Sequence, residues 1–129
     1  MALSELQQTF RRNVIQTLQL LSSHEEQLQY QKNVPIADVT AELFCLWDES
    51  YLSEPSPQWF MDAFSAAELK AMETFNLILE SVLEAMPEEW PSIEKFVLTP
   101  LSARLAEAAG WALQAFDLSN ENKLSRDAQ

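Results

Sequence analysis

From its first residues the chain places apolar side chains at intervals of three and four. Leu3, Leu6, Phe10, Val14, Leu18 and Leu21 therefore share one face of a helix. Ser4 and Gln7 fit a capping box at its start, the serine oxygen taking an early backbone N–H while the glutamine reaches back to the cap. At Ser22 and Ser23 two readings compete. Ser23 with Glu26 can cap a new helix, or one helix can continue to about residue 32, with Leu28 on the face of Leu21. No Gly or Pro intervenes before Pro35, so continuity is the expectation. Pro35 ends the segment by disfavouring α geometry in Val34. A second helix is predicted from residue 36 or 38 to residue 47, with Val39, Leu43, Leu46 and Trp47 facing inward.

Residues 48–62 lose the periodicity. They combine Pro55 and Pro57 with Tyr51, Trp59 and Phe60 and with the acids Asp48, Glu49 and Glu54. Such large apolar side chains predict a structured loop packed onto the body, with a short helix near residues 58–63. Ser65 and Glu68 then form a second capping box, flanked by Phe64 and Leu69 as a hydrophobic staple. The helix they open runs to about Met86, where Pro87 stops it. At 100° per residue, Leu69, Met72, Phe75, Ile78, Leu79, Val82, Leu83 and Met86 fall in one wide apolar arc. Glu73, Glu80 and Glu84 cluster within about 40° of one another on the far side. Leu77 lies beside that stripe, an apolar residue where the helix should meet water.

A short helix is predicted over residues 92–98, and Thr99-Pro100 reads as N-cap and first position of the last helix. Leu101, Leu105, Ala108, Ala112 and Phe116 give that helix its inner face, and Gly110 with the alanines is expected to admit a neighbour closely. Residues 119–129 are polar and expected to fray. Alternating strand patterns are absent. The predicted fold is all-α: one domain over residues 1–118, with four to six helices around one core and an aromatic-rich structured loop at about 48–62.

Composition supports a packed core, since 47% of the 129 residues are apolar, with four Trp and seven Phe. The longest apolar run, residues 43–47, is far short of the ~20 residues that span a bilayer. With one cysteine and no visible export signal, the expected location is the cytoplasm. Charge changes the picture more. The net charge is −12, and residues 33–94 alone hold thirteen acids against one base, Lys70, while both flanks balance. A surface of this sign repels nucleic acid, whose binding depends on neutralising phosphates, and it repels anionic membranes.

Candidate chemistry is sparse. His24 is the only imidazole, and the neighbouring Glu25 and Glu26 point elsewhere on a helix, so a surface or half-buried helix position is expected for it. Cys45, between Phe44 and Leu46, reads as a core residue, because no Lys or Arg lies between Lys32 and Lys70 to activate a thiol. A helical di-iron site needs a His three residues after a Glu, and an EF-hand needs alternating ligands around a Gly. Neither pattern occurs, so no metal and no cofactor are expected. Asp48 with Glu49 could serve as paired acids, yet twenty acids offer many such pairs.

The reading that follows is a non-catalytic interaction or inhibitor module whose acidic central segment binds a basic protein, such as a nuclease or another toxin. Its expected contact residues are Asp48, Glu49, Tyr51, Glu54, Trp59, Glu73, Leu77, Glu80 and Glu84, aromatic and apolar anchors within a charged rim. In general character (small, acidic, with one Cys and no catalytic constellation) the chain is similar to bacterial toxin-immunity proteins. No motif carries that likeness, and no residue role is transferred by it. One alternative is a helical carrier or sensor that holds an apolar small molecule among Trp47, Trp59, Trp90 and Trp111. Another is a structural domain whose acidity serves only solubility. A third is an enzyme working with carboxylates alone.

Overall fold

Seven helices make up the regular structure of the computed structural model, which describes residues 2–52 and 56–116. They are α1 (Glu5–Leu21), α2 (His24–Asn33), α3 (Val39–Ser50), α4 (Gln58–Met61), α5 (Ala66–Ala85), α6 (Ile93–Phe96) and α7 (Pro100–Leu113). Local signals set most of the starts. Ser4 with Gln7 and Ser65 with Glu68 form reciprocal capping boxes, and the Asp38 carboxylate accepts from the Ala41 N–H. The Thr99 hydroxyl accepts from the Ser102 N–H, with Pro100 following it into the first turn of α7.

Packing then follows from the apolar faces these starts define. α1 is the hub, with α3 and α7 along it and α2 and α4 at its ends, while α5 lies against α7. α6 packs against α2 and α3. Val14, Leu18 and Leu21 of α1 meet Val39, Leu43 and Trp47 of α3 and Met72, Phe75 and Val82 of α5 in a core closed to water. Burying an aliphatic side chain of this size stabilises by about 2 kcal/mol. Trp47 is the largest of the buried side chains, and its ring stands edge-on to Phe75 at 4.7 Å. Among polar core groups, the Thr17 and Ser50 hydroxyls join α1 to α3 at 3.1 Å.

Several expectations need correction. The first helix is not continuous: Ser22 caps α1, and Ser23 opens α2 by accepting from the Glu26 N–H. The element count accordingly exceeds the expected four to six. α3 continues past Trp47 to Ser50, so Asp48 and Glu49 belong to a helix and not to the loop. Cys45 is exposed. In a run of five apolar helical residues some must point outward, and Leu43, Phe44 and Trp47 take the inward arc. Gly110 admits no close neighbour, because a Cβ there would meet nothing within 4 Å. The buried small residues of α7 are instead Ala108, Ala109 and Ala112. The expected tail, 119–129, lies outside the described residues. No helix among the described residues is long and apolar enough to cross a membrane.

Candidate protein-interaction surface

The acidic stripe of α5 forms because the helix buries its opposite side. Met72, Phe75, Leu79 and Val82 are buried, and Glu73, Glu80 and Glu84 are all exposed to water. Leu77, on the same side, is 61% exposed. Lys70, one turn before Glu73, is exposed at the N-terminal end of this face.

Asn76 marks the border between stripe and core. Its Oδ1 accepts from the Trp47 indole N–H at 3.0 Å, and its Nδ2 donates to Glu80 Oε1 at 3.3 Å. The deepest aromatic of α3 is thereby tied to a surface carboxylate of α5. Tyr51 stacks on Trp47, with centroids 5.0 Å apart and planes 19° from parallel. The C-terminal turn of α3 and the acidic stripe are thus two parts of one region.

Not every expected contact residue reaches it. Asp48 is exposed about 100° round α3 from Trp47, whereas Glu49 stands about 200° round and faces away from α5. Tyr51 is half-buried in its stack, so it supports the region more than it projects from it. Trp59 sits elsewhere, at the start of α1. Its carbonyl accepts from Gln7 Nε2 at 2.8 Å, and its ring meets Phe10 at 5.3 Å. Glu54 lies outside the described residues. Asn76 was missed by sequence reasoning, although a polar residue at the edge of the apolar arc, between Phe75 and Leu77, is the signal that marks it.

Electrostatics separate this region from the interior. The Arg11–Glu68 pair is the ion pair found among the described residues, its glutamate buried and its arginine half-buried. Of the other described acids, Glu42 is half-buried and the rest are exposed, none held in an ion pair by a described cation. No group of three His, Cys, Asp or Glu side chains among the described residues is arranged to hold a metal ion. His24 occupies a half-buried position at the start of α2, its Nε2 2.8 Å from the hydroxyl of buried Ser102.

The tryptophans do not converge. Trp47 is core, while Trp59 and Trp90 are each 37% exposed and Trp111 is 50% exposed. A groove of about 580 Å³ between the 34–38 turn and the 90–94 segment is lined by Trp90 and by no other tryptophan. No protein-family model matches the chain, nor does any curated protein by sequence or any solved structure by fold.

Proposed function

We propose that the protein is a non-catalytic interaction module whose acidic central segment binds a basic protein, in its most concrete form an antidote that occludes a cationic toxin such as a nuclease. The observation that carries this reading is the α5 face. Glu73, Glu80 and Glu84 run alongside exposed Leu77, and no described cation pairs with any of them. Crowding like charges destabilises a fold through self-repulsion, and a cationic partner would relieve it. A leucine flanked by carboxylates on one side and by Thr74 and Ser81 on the other gives such a partner an apolar anchor to desolvate within a polar surround. The same potential opposes phosphates and anionic lipid.

The experiment compares three immobilised proteins in a native lysate: the wild type, Leu77→Ser, and the triple variant Glu73→Gln/Glu80→Gln/Glu84→Gln. Surface attraction is screened beyond ~10 Å at 0.1 M salt and ~3 Å at 1 M. The wild type should therefore retain a basic protein at low salt and release it at high salt. The triple variant should lose it, and Leu77→Ser should weaken its retention by about tenfold. If the triple variant retains the same basic protein equally well, or if the wild type retains none at either salt, the reading is wrong.

A further inference from the structure

The groove beside Trp90 is a second surface, separate from the α5 stripe, and both of its walls are held in place. On one side, Gln31 Nε2 reaches the carbonyls of Val34, Pro35 and Ala37, the last at 2.7 Å, and its Oε1 accepts from the Val39 N–H at 3.4 Å. One glutamine thus fixes the whole turn between α2 and α3. On the other side, the Trp90 ring stands edge-on to Phe44 at 5.2 Å, and Phe44 in turn meets Phe96 of α6. Pro35 and Ala37 face Trp90 and Pro91 across the groove.

This fixed turn carries apolar side chains that the fold does not use. Ile36 is 98% exposed at its crest, and Val34 is 40% exposed. Ile36 and Val34 thus give the turn an apolar crest next to Pro35 and Ala37, which line the groove. Walls set before binding lower the ordering cost of association.

Charge identifies what fits. Asp38 and Glu94 line the groove with Lys32, and exposed Glu88 and Glu89 lead into Trp90. Lys95 follows Glu94, so acids outnumber bases around the opening. An exposed indole beside carboxylates suits a guanidinium, which is planar, stacks on aromatic faces and bonds a carboxylate through parallel N–H groups. The apolar crest suits an aliphatic neighbour. We propose that this groove binds an extended segment of a partner protein in which an arginine adjoins an apolar residue, the guanidinium on Trp90 and the apolar side chain against Ile36.

The test titrates the full-length protein with a short peptide of alternating arginine and leucine, and with the same peptide carrying glutamate for arginine. Amide and indole signals are followed by NMR, the Trp90 indole being assigned from its loss in Trp90→Phe. The arginine peptide should shift the Trp90 indole and the Ala37 amide, and the glutamate peptide should not. Glu94→Lys and Ile36→Ser alter exposed side chains outside the core, and each should weaken the peptide about tenfold while preserving the dispersion of the spectrum. No shift at Trp90, equal shifts from both peptides, or unchanged affinity in both variants would overturn the proposal. Shifts confined to Glu73 and Leu77 would also overturn it, while supporting the α5 surface.

Discussion

Burial by itself would push the Glu68 carboxyl above the ordinary carboxylate range, yet its pKa is lowered. Hydrogen bonds from Arg11 and from the Ser65 backbone N–H, the Arg11 charge and the Ser65 hydroxyl together outweigh the desolvation. The geometry explains their strength. Arg11 Nη1 and Nη2 meet Glu68 Oε1 and Oε2 at 2.6 and 2.7 Å, a bidentate fork, and Nη1 also donates to the Ala63 carbonyl at 3.0 Å. The guanidinium lies 5.8 Å from the Phe64 ring and 5.6 Å from the Phe116 ring. One pair thus joins α1, the start of α5 and the turn that follows α7. Because the folded pKa is depressed, the stability contributed by Glu68 is present above its unfolded value near 4.5 and is lost as the pH falls through the folded value. Glu68→Gln should destabilise by about 2 kcal/mol at neutral pH, because the charge-assisted hydrogen bonds that the carboxylate takes from Arg11 and from the Ser65 N–H lose their anionic acceptor. In denaturant titrations the gap between wild type and variant should shrink on acidification. A constant gap down to acid pH would show that the pair contributes through shape and not through charge.

At the scale of elements, the break between α1 and α2 shows which signals a linear reading can use. Capping boxes and proline stops act within a few residues, so the starts of α1, α5 and α7 were legible. The corner at Ser22 and Ser23 is instead fixed from a distance. Gln27, only 2% exposed, donates through Nε2 to the Leu21 carbonyl, at the end of α1, and to the Leu20 carbonyl, which also takes the Ser23 N–H. His24 meets Ser102, 78 positions away in sequence. In sequence Gln27 is one polar residue among several, and nothing local marks it as buried. The site divides the same way: the stripe and Leu77 followed from helical spacing, whereas Asn76 bonding to Trp47 needed the approach of α3 to α5. Gln27→Ala should therefore cost about 1.5 kcal/mol, as the buried Leu21 carbonyl loses its donor while Leu20 keeps the Ser23 N–H, and exceed the ~1 kcal/mol expected for removing the Ser23 cap in Ser23→Ala. Chemical denaturation of the two variants orders them. A larger loss in Ser23→Ala would mean that the corner is set by local capping after all.

For the whole molecule, charge has opposite consequences for folding and for binding. The chain carries −12, nearly all the described carboxylates face water, and the described ion pair is internal. Added NaCl screens repulsion among exposed charges while leaving a buried pair much less affected. The free protein should therefore become more stable as salt rises from about 0.02 to about 0.5 M, by roughly 1 kcal/mol or about 3–4 °C in Tm. Chloride is the right probe, because sulfate would also strengthen apolar burial. The complex with a basic partner should respond in the other direction, since the same screening removes the attraction that forms it. Thermal melts of the free protein and salt titrations of the captured complex read these two signs separately. A melting temperature that falls with NaCl would mean that attractive contacts dominate the surface. The carboxylates of α5 would then already be balanced within the fold, with no uncompensated field left to draw in a cationic protein.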